Sequence, residues 1–411
     1  MSPTDTGRVA APSAPPAPDG SGAPSRPASI VPSGVVYALQ FTAVAVWVAY
    51  ASVFFRSLGL DLALIGLLGA VPSAVAIVAA PAWGLVADRI GDMRPPYLVA
   101  SLWAAAAALI LALAPPMPWL ALVVVAVAAG TSGLTPMLDA RTVQRLWPHR
   151  ERFGQARVWG SISFVVATIS VGVLLGSIGV RGMFAVYSVA LVAAGVASYL
   201  LLGKAGRGLR VAGVGPLAAL GLLRDLGLGL FFVGSAVAWT SSTIALALFS
   251  LRILDLGGDT SLIGVGWAVN AMLEIPVMLL FMRLARHVRI ERLIVAGVAV
   301  QALRSVLWSV AGTPVAFVAA ASMSGISFGL VLVGTTTYVA SRVPSSLQAT
   351  AQALFSSTTF AIGAILGAVI AGQIAQTGGL GAVYPVSAIG SAIGAVLVWI
   401  AIARGSHVRR V

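Results

Sequence analysis

The chain has 411 residues, of which 59% are hydrophobic and 9% charged, and its mean hydropathy is +0.99. A soluble globular domain carries about 25% charged residues, so most of this chain cannot face water; its net charge of +13 sits between apolar stretches, which membrane topology requires and nucleic-acid binding does not. With no cysteine, and with His149, His287 and His407 all outside the apolar stretches, the sequence excludes a disulfide framework, a thiol nucleophile and a buried Cys- or His-based metal or catalytic site.

Residues 1–33 are Pro, Ala, Ser and Gly with almost no large apolar side chains, and they are expected to be a disordered cytoplasmic tail. The run that follows is too long for a signal peptide. A bilayer crossing needs about 20 mostly apolar residues. Twelve such spans are predicted, at 34–55, 62–83, 96–115, 118–140, 155–177, 182–203, 227–251, 261–282, 293–311, 314–340, 347–375 and 382–403. If the N-terminus is inside, the outside loops hold Arg56, Arg181 and Arg252, while the inside segments hold almost all other basic residues. That asymmetry puts both termini in the cytoplasm. The stretch 204–226 is the longest loop between spans and divides the chain into an N-terminal bundle at 34–203 and a C-terminal bundle at 227–403, with a short cytoplasmic tail at 404–411. The halves echo each other: Leu64-Ile65-Gly66 and Leu262-Ile263-Gly264 are 198 residues apart. The expected fold class is an all-α membrane protein of twelve transmembrane helices in two pseudo-symmetric six-helix bundles. Parallel repeats of this kind put a substrate site at their interface, near the midplane.

Span eight, 261–282, carries one carboxylate, Glu274, and span nine carries one guanidinium, Arg304. A charge at bilayer depth costs about 2.5–3.5 kcal/mol on the translocon-insertion scale, and such residues are functional by default. The two are expected at similar depth, able to neutralise each other. They serve either proton coupling and substrate binding or as a permanent pair holding two spans together. Helical spacing adds polar and aromatic candidates for a cavity wall: Gln40, Trp47 and Tyr50 in span one, Trp239 in span seven, Trp267 and Asn270 beside Glu274, Tyr338 in span ten, and Gln352 and Ser356 in span eleven. Trp103, Trp119 and Trp308 read as interfacial anchors.

The loop after span two reads Gly84-Leu85-Val86-Ala87-Asp88-Arg89-Ile90-Gly91-Asp92-Met93-Arg94-Pro95. It resembles the major facilitator superfamily signature G-x-x-x-D-R-x-G-R-R-P, matching at Gly84, Asp88, Arg89 and Gly91 and departing at Asp92. The resemblance implies a cytoplasmic latch, formed by Gly84, Asp88, Arg89 and Gly91, that favours the outward-facing state. Asp139 would join it by pairing with the loop's arginine, and Arg157 belongs to the same cytoplasmic set. The run Phe153-Gly154-Gln155-Ala156-Arg157-Val158-Trp159-Gly160-Ser161 is similar to the phenylpropionate-permease and lactose-permease-like branch. Glu274 and Arg304 also match that branch, but its span-ten histidine has no counterpart near Ser324–Phe328. The resemblance therefore implies a monomeric secondary transporter in the cytoplasmic membrane, moving a small organic solute (an aromatic or organic acid, a sugar or a nucleoside) by proton symport. Its partners are the solute, protons and the lipid bilayer, without nucleic acid, metal or other cofactor. Efflux of an apolar compound is the alternative, and a non-transporting membrane receptor a second one. No enzyme activity is expected, because no catalytic cluster or phosphate-binding loop is present.

Overall fold

The computed structural model describes residues 28–147, 149–204, 226–343 and 347–407. The expected linker at 204–226 and the two tails fall largely outside these residues. Among the described residues, twelve helices are long and apolar enough to cross a membrane. We number them α1 (Val31–Ser57), α2 (Leu62–Ile90), α3 (Arg94–Ala112), α4 (Trp119–Arg145), α5 (Phe153–Ile178) and α6 (Val180–Leu201) in the first half. The second half has α7 (Gly227–Ala247), α8 (Thr260–His287), α9 (Ile290–Val310), α10 (Pro314–Arg342), α11 (Ser356–Gly378) and α12 (Leu380–Arg404). The described spans are helical because a backbone in hydrocarbon must satisfy its own hydrogen bonds.

Several of the expected spans are interrupted. The seventh stops at Ala247, and after Leu248 a short helix, Phe249–Asp255, takes over. The eleventh starts as an α-helix, Gln348–Phe355, then widens into a π-helical turn at Ser356–Ala361 before resuming as α-helix. Helix α8 breaks at Leu273, between Thr260–Met272 and Glu274–His287. Pro276 explains the break, since it has no N–H to give to the carbonyl of Met272.

The halves repeat one packing scheme. In the first, α1 lies against α5 and α6, and α3 against α6; in the second, α7 lies against α11 and α12, and α9 against α12. The short echo in the sequence has a structural meaning. Asp61 accepts from the backbone N–H of Leu64 at 2.7 Å, and Asp259 from that of Leu262 at 2.8 Å, so α2 and α8 begin with the same cap. Each cap fixes the phase of a glycine that faces the other half. Gly66 abuts Ala368 and Gly372 of α11, and Gly264 abuts the backbone of Thr168 in α5. Without side chains, the helices meet backbone to backbone, the usual means of close packing in lipid. The Leu62 N–H also donates to Gln376 Oε1 of α11 at 2.9 Å. These contacts close the end that carries Arg56, Arg181 and Arg252. At the opposite end, which carries most of the basic residues and is called the basic end here, Gly84 of α2 faces open space and Asp88 and Arg89 are exposed. The two bundles therefore touch at one end and part at the other.

Candidate functional site

Between the halves lies a cavity of about 510 Å³. Its walls come from α1 and α5 on one side and from α7, α8, α9, α10 and α11 on the other. Glu274, Arg304, Trp239, Trp267 and Asn270 all line it, as expected from their helical spacing. Trp239 stands edge-on to Phe360 with ring centres 4.5 Å apart and tilts against Phe328. Trp267 is fixed by its indole N–H, which donates to Ser250 Oγ at 2.9 Å. The aromatic rings are thus held rigidly, while Ser235, Ser242, Thr243, Ser327 and Thr359 supply hydroxyls.

The expected ion pair between Glu274 and Arg304 does not form. The Arg304 side chain is directed instead to Ser324 Oγ, at 2.8 Å, and over the Trp308 ring, 4.4 Å from its centre. It is only 1% exposed, and its Nε and Nη2 have no hydrogen-bond partner. Trp308, expected at the membrane interface, is fully buried and gives its indole N–H to the Phe317 carbonyl at 2.8 Å. Burial there supplies the π-face that a guanidinium needs once it leaves water.

The charge that Glu274 meets across the cavity is Arg157, from the first half. This relocates Arg157, which the sequence assigned to the latch. Its guanidinium lies 3.9 Å from the centre of the Phe41 ring and 5.5 Å from that of Tyr37, on the cavity wall. Asp139 does not bond the loop arginine either. It accepts from Tyr37 Oη at 2.6 Å and faces Arg157 electrostatically. Both residues are held locally instead, Asp139 by Tyr37 and Arg157 by the Phe41 and Tyr37 rings, while loop residues Asp88 and Arg89 are exposed to solvent. Within that loop, Asp92 is bonded by Arg94 at 2.7 Å, and the guanidinium holds its carboxyl below the usual carboxylate range. Gly91 ends α2 in the left-handed region (φ +69°) that favours glycine.

Several wall candidates serve elsewhere. Gln40 and Trp47 line a separate cavity of about 110 Å³ inside the first half, where Gln40 bonds Thr135 and Tyr97 at 2.6 and 2.9 Å. Tyr50 is buried and donates to the Thr168 carbonyl at 2.6 Å, bracing α1 against α5 near the closed end. Tyr338 is buried against Phe231, with ring centres 4.4 Å apart. Gln352 gives its amide to the Thr336 carbonyl at 2.7 Å, and Ser356 is exposed at the start of the π-helical turn. The sequence reading passed over Phe328 and Phe360 as cavity residues. Phe360 sits on the π-helical turn, whose extra residue per turn rotates the face that spacing rules assign.

A family profile described as the MFS_1 like family matches residues 33–386. The chain belongs to this family. The maltose permease of Geobacillus stearothermophilus is 27% identical over 347 residues, which span 83% of this chain and 86% of the permease. Among solved structures, the nucleoside transporter NupG superposes with a TM-score of 0.80 at 18% identity, covering 91% of this chain and 98% of that one. A bacterial homologue of the human lysosomal transporter Spinster, inward-facing and unoccupied, superposes with a TM-score of 0.69 at 16% identity, covering 90% and 96%. The MFS_1 like chain is thus a multi-pass membrane protein with the major facilitator fold and a secondary transporter of that type, not an enzyme.

Proposed function

We propose that the protein is a proton-coupled symporter that takes up a small hydroxylated ring compound, a sugar or a nucleoside, across the cytoplasmic membrane. One observation carries the reading: among the described residues Glu274 lines the cavity without an ion-pair partner, and the cation it faces, Arg157, belongs to the other half. A carboxylate whose cationic neighbour sits on the opposite bundle changes its proton affinity as the bundles rock. Proton binding is thereby linked to which end is open. The bundles at 34–203 and 227–403 would move as two bodies about the cavity, with 204–226 as their tether and both termini in the cytoplasm. Asp88 and Arg89 would pair across the basic end when it closes. A single chain contains the whole cavity, so a monomer suffices.

Rigid indole and phenyl faces beside hydroxyl and amide groups suit a ring that is apolar on its faces and polar at its edge. The similarity to a maltose permease supports the sugar; the cavity volume admits either ligand. A second reading has its own observation: the two unpartnered nitrogens of Arg304 would suit the carboxylate of an organic acid. The test is solute transport in proteoliposomes made from the full chain. Glu274→Gln is expected to retain counterflow exchange of labelled maltose or nucleoside and to lose accumulation driven by a pH gradient. Unchanged uphill accumulation would remove Glu274 from the coupling.

A further inference from the structure

The two halves differ sharply in how their second and third helices join. In the first half the turn between α2 and α3 carries Asp88, Arg89, Asp92 and Arg94, a balanced set in which Asp92 bonds Arg94. In the second half the turn between α8 and α9 carries Arg283, Arg286, His287, Arg289 and Arg292 against one acid, Glu291. All five basic side chains are exposed, and none has a hydrogen-bond or ion-pair partner among the described residues. At the 198-residue offset, Arg283, Arg286 and Arg289 stand where the first half has Leu85, Asp88 and Gly91. The excess charge is therefore a property of this turn and not of the repeat.

Position along the helix adds a second observation. Leu279, Met282, Arg283 and Arg286 follow i, i+3, i+4, i+7 spacing, so they form one stripe on α8. Leu279 is 74% and Met282 65% exposed. The stripe thus runs from bare apolar side chains to bare guanidinium groups within two helical turns. Arg283 and Arg286, at the C-terminal end of α8, are favourably placed in its dipole. Arg289 and Arg292 are not: they flank the N-terminus of α9, where a cation is disfavoured and an anion is welcome. Four exposed guanidinium groups next to exposed apolar side chains call for a ligand that is anionic at one end and apolar at the other.

We infer that the α8–α9 turn binds an anionic phospholipid, with its headgroup phosphate held by Arg283, Arg286 and Arg289 and its acyl chains lying along Leu279 and Met282. Juxtamembrane clusters of this size recognise anionic headgroups by charge, and the contribution rises with each arginine. The test uses the full chain in phosphatidylcholine vesicles, with spin-labelled phosphatidylglycerol or spin-labelled phosphatidylcholine as the reporter. The fraction of immobilised label gives the relative association of each lipid. The native chain is expected to prefer phosphatidylglycerol. The triple variant Arg283→Gln/Arg286→Gln/Arg289→Gln is expected to lose about a hundredfold in that preference. The matching Arg→Lys triple variant, which keeps the charge and the topology signal, is expected to retain it. Millimolar inorganic phosphate is expected to leave the preference in place, because it lacks the acyl chains. Equal preference in the native chain and the Gln variant would overturn the inference, as would loss of the preference in the Lys variant or its abolition by inorganic phosphate.

Discussion

Gly66 offers a direct handle on the closed end. A Cβ built there would lie 2.5 Å from the Ala368 carbonyl oxygen and 2.7 Å from the Gly372 Cα. Ordinary contact begins near 3.4 Å, so α2 and α11 would have to separate by about 1 Å, against backbone atoms that cannot rotate away. Overpacking of this kind costs about 1–3 kcal/mol. The strain exists only while the closed end is closed, so it is relieved by opening that end. At 1.4 kcal/mol per tenfold, Gly66→Ala should shift the equilibrium toward the alternative state by about 5- to 150-fold, and Gly66→Leu by more. Gly69, one turn along, is the internal control, because its Cβ would sit 3.9 Å from the Ala368 Cβ, an ordinary contact. The chain lacks cysteine, so spin labels can be placed at Ser57→Cys and Thr377→Cys, both exposed at the closed end, without background labelling. Pulsed dipolar spectroscopy should show a longer distance population in Gly66→Ala and a dominant one in Gly66→Leu, with Gly69→Ala unchanged. Native distances and native transport rates in Gly66→Leu would refute the reasoning.

Other expectations concern the buried charges. Arg304→Ala should weaken binding of a carboxylate-bearing solute about tenfold or more while changing a neutral one less, since charged hydrogen bonds contribute about 1.5–3 kcal/mol; equal loss for both, measured by calorimetry, would mark Arg304 as structural. Arg141 donates from Nη2 to the carbonyls of Leu202, Gly203 and Lys204, which end α6, at 2.7–2.8 Å. Arg141→Ala should therefore lower the thermal unfolding midpoint by several degrees without altering solute affinity; an unchanged midpoint would contradict that capping role. Tyr37→Phe leaves the half-buried Asp139 carboxylate without its hydroxyl donor. It should destabilise the chain by about 1–3 kcal/mol, read as a lowered thermal unfolding midpoint; an unchanged midpoint would contradict that role of the hydrogen bond.

The twelve crossings, the all-helical class and the superfamily were legible in the chain because each rests on local quantities. Apolar run length sets a crossing, a Pro or Gly marks a break, and Asp61 and Asp259 cap the helices they precede. The same locality puts Glu274, Trp267 and Asn270 on one face of one helix, beside the cavity. Partner choice is not local. Glu274 and Arg304 share a depth and are one helix apart in sequence, yet helix rotation turns Arg304 to Ser324 and Trp308 and leaves Arg157, more than a hundred residues away, as the charge opposite Glu274. Tyr50 and Gln352 have the polar chemistry of wall residues, but each is consumed by a backbone carbonyl that only packing brings near. The latch residues were recognised as a motif, while the motif could not say which end of the cavity stands open. Sequence determines which segments must leave water and which side chains cannot be left there unaccompanied. Tertiary structure decides who accompanies them, because azimuth, kinks and the relation between bundles accumulate over many helices and no single stretch encodes them.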